Sequence, residues 1–172
     1  MGKRSEFKRR NNDAYMTTDP RAVSPLINVL GGIMSFKFGD VTYYEPCVGD
    51  GSLIKLLPYK CVGQSDLELD ARITKYETEA DCFITNPPWT RNLLHPIIEN
   101  LRSQLPTWLL FDADWMHTQQ AIPYMKYCKV IVSVGRLKWI PDSEFDAKDN
   151  CAWYLFDKEE TNCRFIPRIE AQ

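Results

Sequence analysis

The spacing of apolar residues along the chain predicts strands that alternate with helices. Short apolar runs rich in β-branched and aromatic residues predict six strands, at 41–45, 61–65, 81–85, 107–111, 128–134 and 151–156. Apolar residues three and four positions apart predict helices at 20–30, 52–58 and 91–104, and a further helix within 112–125. Asp19 and Pro20 are typical of a helix start, and Gly31 and Gly32 of its end. This alternation favours an α/β fold with a mostly parallel sheet, in which the last two strands form an antiparallel edge hairpin.

The composition is that of one globular domain. Of the 172 residues, 44% are hydrophobic and 12% aromatic, which is enough for a core and excludes a disordered chain. No apolar run reaches the roughly 18–20 residues of a membrane span, and no apolar segment follows the charged N-terminus. We therefore expect a cytoplasmic protein without a membrane partner.

The cysteines and histidines give little sign of metal chemistry. Six cysteines are spread singly, without a C-x-x-C pair or a histidine at metal spacing, so we expect reduced thiols and neither a metal site nor a disulfide framework. Asp112 and Asp114 could ligate a metal, although acids after a strand more often cap the next helix. For the isolated His95 and His117, packing or surface roles are expected.

Charge is distributed unevenly along the chain. Residues 3–10 carry five basic side chains and one acid, a net charge of +4, so the remainder carries −6 of the total of −2. We predict a flexible basic arm at 1–13 and a single catalytic domain at 14–172. Such an arm suits phosphate contact through Lys8, Arg9 and Arg10, but a short solvated terminus without function is the alternative.

Candidate chemistry lies where the predicted strands end. In open parallel sheets, ligands bind beyond the carboxyl ends of the strands. Glu45 ends the first strand, Asp66 follows the second, and Gly49 and Gly51 form the turn after the first. The turn "EPCVGDG" carries two carboxylates, Glu45 and Asp50, which would repel a phosphate but suit a ligand with an ammonium group and ribose hydroxyls, such as S-adenosylmethionine.

The stretch "DCFITNPPW" ends a strand on an unusually stiff corner. Pro87 and Pro88 restrict the backbone directly after Asn86. If the Asn86 side-chain oxygen and the Pro87 carbonyl each accept a hydrogen from an exocyclic amine, they orient that amine for attack, and Trp89 can stack a base. Alternatively, Asn86 caps a turn, the prolines end the strand and Trp89 belongs to the core.

Taken in order, these motifs resemble the class I S-adenosylmethionine-dependent N6-adenine nucleic-acid methyltransferases of the γ motif order, in a small phage-type form without a recognition domain. The resemblance covers roughly Tyr15 to Phe156 and rests on "YMTTDP", "YEPCVGDG", the acid at 66 and "NPPW". It implies a Rossmann-like class I fold with helices on both faces, S-adenosylmethionine as cofactor, and methylation of adenine N6 in DNA.

The resemblance also implies roles for individual residues. The catalytic set is Asn86, Pro87, Pro88 and Trp89. The cofactor-binding set is Tyr15, Thr17, Thr18, Glu45, Pro46, Gly49, Gly51, Asp66, Leu67, Asp70, Ala71 and Asn86. Only three residues separate Asp66 from Asp70, so the crossover helix that the family usually has there is expected to be missing or much reduced.

Expected nucleic-acid contacts are Lys8, Arg9, Arg10, Arg91, Arg136, Lys138 and Trp139. Resembling proteins have a target-base loop near "GRLKWIP" (135–141), although a solvated hairpin with one packed Trp is the alternative there. Because only 16 residues follow the last predicted strand, we expect low sequence specificity, recognition through a second subunit such as a homodimer, or a target chosen by RNA structure. RNA methylation, glutamine methylation in a protein, and a non-catalytic binding module are the alternative functions.

Overall fold

The computed structural model describes residues 15–34 and 41–168, and its strands form one seven-stranded sheet. The strands are β1 (Thr42–Glu45), β2 (Lys60–Gln64), β3 (Cys82–Thr85), β4 (Thr107–Asp112), β5 (Cys128–Arg136), β6 (Asn150–Phe156) and β7 (Arg164–Ile166). The α-helices are α1 (Ser24–Met34), α2 (Ser52–Leu56), α3 (Arg91–Arg102) and α4 (Ile122–Met125). Within the described residues, 3-10 turns lie at Pro20–Ala22, Ala113–His117 and Gln119–Ala121. The predicted basic arm at 1–13, with Lys8, Arg9 and Arg10, lies outside the described residues.

The strand order β2-β1-β3-β4-β6-β5-β7 confirms the predicted α/β, Rossmann-like, mostly parallel sheet. β1 pairs in parallel with β2 on one side and with β3 on the other, so the strand order reverses at β1. β6 is antiparallel to both β4 and β5 and lies between them, and β7 adds a parallel edge strand beside β5. The crevice beyond the carboxyl ends of β1 and β3 is therefore the topological switch point.

Side chains alternate between the two faces of the sheet, and helices cover both faces. Ile84, Trp108 and Trp153 belong to the apolar cluster that contains Leu26 and Leu30 of α1. Their sequence neighbours belong to a second cluster, which contains the apolar stripe of α3. The members of that second cluster from the sheet and α3 include Phe83, Leu109, Tyr154, Leu94, Ile97, Ile98 and Leu101. This arrangement confirms the prediction of helices on both faces.

Two predicted helices differ from the structure. α1 does not stop at Gly31 and Gly32 but continues to Met34, because Ile33 and Met34 pack against the core and offset the propensity cost of two glycines. Within 112–125 the chain forms two 3-10 turns and the four-residue α4 rather than one helix. Asp112 caps the first of these turns by accepting a hydrogen bond from the Asp114 amide at 2.9 Å.

The segment between β2 and β3 contains neither helix nor strand, which confirms that the crossover helix is missing. Side chains of α3 and of the turn directly after it bind the backbone of this irregular segment instead. Asn100 donates to the carbonyls of Ala71 (3.0 Å) and Thr74 (2.8 Å), and Gln104 accepts from the Tyr76 amide at 2.9 Å. These side chains supply partners that a helix would otherwise provide internally. None of the described helices is long and apolar enough to cross a membrane.

Two fully buried tryptophans on the same face of the sheet differ in one hydrogen bond. Trp153 Nε1 donates to the Ala22 carbonyl at 2.7 Å, whereas Trp108 Nε1 has no partner among the described residues. We expect Trp153→Phe to lower the free energy of unfolding by about 1–3 kcal/mol more than Trp108→Phe, because only the former leaves a buried carbonyl unpaired. Urea denaturation of both variants measures the difference, and equal losses would contradict it.

Candidate active site

The glycine turn after β1 joins the ends of β1 and β2 to the N-terminal segment, residues 15–19. Ser65 N donates to the Glu45 carbonyl and Val48 N donates to the Ser65 carbonyl, both at 2.9 Å. Gly49 has a φ of 54°, and a Cβ there would lie 2.7 Å from Met16 Sδ. Met16 was not singled out from the sequence, since nothing local marks it. The positive φ favours glycine at position 49, and a larger residue there would also displace the Met16 side chain.

Gly51 differs from Gly49 in what surrounds it. Its φ is 74°, but a Cβ added there would meet no atom within 4 Å, so this part of the turn borders open space. Pro46 is buried at the start of the turn. The turn therefore has one side packed against protein and one side free for a ligand.

One oxygen of the buried Glu45 carboxyl has no hydrogen-bond partner in the part of the chain that the structure describes. Its side chain is 1% exposed, and Oε2 has no partner among the described residues. Burial raises the pKa of Glu45 to about 8, and the nearby carboxylates of Asp50 and Asp66 add to the shift. Asp50 itself stays ionised more readily, because hydrogen bonds from Ser52 lower its pKa. A buried acceptor of this kind suits a ligand that brings a donor or a positive charge.

The two acids after β2, Asp66 and Asp70, have different neighbours. Asp66 is half-buried and close enough to Glu45 to affect its titration. Asp70 binds Arg72, whose Nη2 lies 2.6 Å from Oδ2, and this ion pair lowers the pKa of Asp70 to about 2. Leu67 is 93% exposed and Ala71 is buried. The structure thus brings Asp66 and Glu45 together, whereas the Asp70 carboxylate is bound to Arg72.

Asn86, directly after β3, has an amide whose orientation is fixed by its partners. Its Nδ2 donates to the Tyr15 carbonyl (2.9 Å) and to Thr17 Oγ1 (3.1 Å), and its Oδ1 accepts from Trp89 Nε1 (3.1 Å). A carbonyl only accepts and an indole N–H only donates. The Tyr15 carbonyl therefore identifies the amide nitrogen of Asn86, and the Trp89 indole identifies its oxygen. Oδ1 keeps a second lone pair for another donor.

The residues around Asn86 form the rest of this corner. Pro87 is buried and Pro88 half-buried. Thr17 is 3% exposed, while Thr18 is exposed. The N-terminal segment therefore lies against Asn86, as well as against Gly49.

Three aromatic rings gather beside Asn86. Trp89 and Trp139 meet edge to face with ring centroids 5.5 Å apart, and Tyr15 lies 6.4 Å from Trp139. Trp139 belongs to the loop 137–149 between β5 and β6, together with the half-buried Lys138.

Arg136 at the end of β5 and Arg91 at the start of α3 are both exposed. His95 accepts a hydrogen bond from Trp115 Nε1 at 3.1 Å and stacks near Tyr124, which is a packing role.

Sequence reasoning missed a charged cluster at the end of the N-terminal segment. Arg21 binds both Asp19 and Asp146, and Asp146 is 125 residues away along the chain. A surface depression of about 670 Å³ lies over this cluster, between the N-terminal segment and the loop 137–149. Neither Glu45 nor Asn86 lines it. Asp19 also caps the 3-10 turn at Pro20–Ala22, which precedes α1.

Comparison with known proteins supports the fold. No family model and no curated protein matches the chain. It is similar to a structure described as a class I S-adenosylmethionine-dependent methyltransferase from Listeria monocytogenes, with 9% identity, a TM-score of 0.59, and coverage of 92% of this chain and 67% of that one. It is also similar to the methyltransferase subunit of a type I restriction-modification system from Streptococcus thermophilus, with 12% identity and a TM-score of 0.57.

The second similarity covers 88% of this chain but 46% of the other, so the chain spans about half the length of that structure. At identities this low the similarity shows the fold alone. Together with the strand order, it establishes that the chain has the Rossmann-like fold of class I methyltransferases.

The raised pKa of Glu45 predicts a pH-dependent loss of stability. The folded protein keeps this proton up to a pH of about 8, whereas the unfolded chain releases it near 4.5. The protonated Glu45 carboxyl therefore makes its full contribution to the free energy of unfolding below pH 4.5. That contribution is lost as the pH rises to about 8. Relative to Glu45→Gln, the wild type should lose on the order of 5 kcal/mol of unfolding free energy across this window.

Urea denaturation at a series of pH values measures this difference. The matched control is Glu79→Gln, which changes an exposed glutamate and should keep the wild-type pH dependence. Parallel curves for wild type and Glu45→Gln would show that Glu45 titrates without coupling to folding.

Proposed function

We propose that this protein is an S-adenosylmethionine-dependent methyltransferase that acts on the exocyclic N6 amine of adenine in DNA. The observation that carries the proposal is the Asn86 amide, oriented by Tyr15, Thr17 and Trp89 at the carboxyl end of β3. The class I methyltransferase fold supports it, since the switch point of that sheet coincides with this residue.

The residues beyond β1 and β2 fit the cofactor. The unpartnered Oε2 of Glu45 can accept a hydrogen bond from a cationic or hydroxyl group, and Asp66 lies beside it. The open side of Gly51 leaves room for a ligand against the backbone. We assign the remaining contacts to Tyr15, Thr17, Thr18, Pro46, Gly49, Leu67, Asp70, Ala71 and Asn86. When bound, S-adenosylmethionine supplies a methyl group activated by a positively charged sulfur.

The Asn-Pro-Pro corner suits an amine that is a weak nucleophile. An adenine amine has its lone pair delocalised into the ring, so it needs orientation more than a strong base. The free lone pair of Asn86 Oδ1 and the carbonyl of Pro87 are acceptors for its two hydrogens, and they stabilise the positive charge that develops on nitrogen. Pro88 restricts the Pro87 backbone and so holds its carbonyl in place.

Aromatic and basic side chains around the corner suit a nucleic acid. Trp89 provides a stacking surface for a base that has left its helix, with Trp139 beside it. The exposed Arg91 and Arg136 and the half-buried Lys138 are candidates for phosphate contact. RNA is the alternative substrate, because the same residues would serve it.

Transfer of a labelled methyl group to purified DNA, RNA and protein tests the proposal. We expect label in DNA, recovered as N6-methyladenine, and its positions in the sequence then test the expectation of low specificity. Incorporation into RNA alone would replace DNA by RNA as the substrate. The absence of transfer to either nucleic acid would overturn the proposed function.

Asn86→Ala distinguishes an enzyme from a module that only binds. We expect transfer to fall by about a hundredfold or more, because one acceptor of the amine is lost, while cofactor affinity falls far less, because Asn86 is one of many assigned cofactor contacts. The matched control is Asn92→Ala, an exposed asparagine in α3, which should transfer like the wild type. Thermal melting of both variants separates this effect from unfolding. Wild-type transfer by Asn86→Ala would refute the role of Asn86.

A further inference from the structure

We propose that Asp19, Arg21 and Asp146 form a clamp that positions Trp139 beside Trp89, on the side of the site that receives the target base. The consequence for catalysis rests on the proposed function, whereas the positioning of Trp139 does not. These are positioning residues, since they act through the loop 137–149 rather than on a substrate.

Asp19 is the first part of the clamp. Its Oδ2 accepts a hydrogen bond from the backbone N–H of Lys138 at 2.9 Å, directly before Trp139. Its Oδ1 accepts from the Arg21 N–H at 3.0 Å, and its side chain is only 10% exposed. Burial acts to raise the pKa of Asp19, but hydrogen bonds from Arg21 and Lys138 lower it on balance. Asp19 is therefore a charged acceptor fixed at the base of the loop.

Arg21 is the second part, and it joins the two carboxylates. Its Nη1 and Nη2 donate to Asp146 Oδ2 (3.0 Å) and Oδ1 (2.7 Å), while Nε and Nη2 donate to Asp19. Both carboxylates raise the pKa of Arg21, that of Asp146 most strongly. A planar guanidinium that binds two carboxylates with two donors each fixes both distance and angle. The N-terminal segment and the far end of the loop are thus joined side chain to side chain.

Other contacts of the loop among the described residues lie at its base and at Trp139, whose ring packs against the apolar cluster that contains Leu26 and Leu30. Ala147 N donates to the Leu137 carbonyl at 2.8 Å and closes its base, where Leu137 is fully buried. Beyond Trp139, Ile140 is 43% exposed and Phe145 is 77% exposed. A loop without a core of its own takes its position from the contacts at its ends. The clamp supplies the contacts that lie next to Trp139.

The N-terminal segment thereby contacts both sides of the candidate site. The carbonyl of Tyr15 and the hydroxyl of Thr17 hold Asn86, the proposed amine acceptor. Two residues further on, Asp19 holds the loop with Trp139. Loosening the clamp should move the aromatic side while leaving the Asn86 amide in place, so nucleic-acid binding should suffer more than the chemical step.

Arg21→Met and Asp146→Asn both break the ion pair between Arg21 and Asp146, and both keep most of the side-chain volume. The first readout needs no substrate: the far-ultraviolet circular dichroism couplet of the Trp89–Trp139 pair, defined as the signal that Trp139→Phe removes. We expect both variants to lose most of this couplet. The second readout is methyl transfer, in which we expect KM for the nucleic acid to rise about three- to tenfold with kcat and cofactor KM nearly unchanged.

Lys126→Met is the matched control, because it breaks the exposed Lys126–Glu160 ion pair, which involves no residue of the candidate site. It should keep both the couplet and the wild-type KM. A full couplet in Arg21→Met would overturn the clamp, whatever the wild type transfers. A lost couplet with an unchanged nucleic-acid KM would overturn its role in base binding. A wild type that shows the couplet but no transfer contradicts the proposed function alone.

Discussion

The hydrogen bonds of the Asn86 amide are the interactions on which the rest of the site depends. They join the end of β3 to the N-terminal segment through Tyr15 and Thr17, and to the neighbouring indole through Trp89. Because these partners fix which end of the amide is oxygen, they also fix what the corner can bind: a donor, such as an amine, rather than an acceptor. A site that must orient a weak nucleophile depends on this kind of preorganisation.

The second constraint is electrostatic and lies at the end of β1. Glu45 is buried in the sheet, with Asp50 and Asp66 nearby and no cation among the described residues bound to it. The raised pKa means that ionising Glu45 costs free energy in the folded protein. This residue lies at the topological switch point of the sheet. Buried carboxyls are usually paired, so an unpaired one in a crevice is an observation that favours a ligand site.

Much of the fold was predictable because it is encoded in short stretches of sequence. Apolar runs marked six of the seven strands, and the short separation of Asp66 and Asp70 indicated the missing crossover helix, which the structure confirms. Errors arose where distant packing outweighs local propensity. α1 passes through two glycines because Ile33 and Met34 reach the core, and β7 is only three residues long, too short for a periodic pattern.

The sequence by itself determined the chemical groups at the strand ends: the acids, the glycine turn and the Asn-Pro-Pro-Trp corner. These follow from residue type and from local backbone restriction, which act over a few residues. Only the tertiary structure decided that β6 lies between β4 and β5, that Asp70 binds Arg72, and that Asn86 binds the N-terminal segment. It also decided the clamp, since Arg21 and Asp146 are 125 residues apart and no local pattern relates them. Contacts over such separations depend on how the sheet assembles, and that is set by the packing of the whole chain.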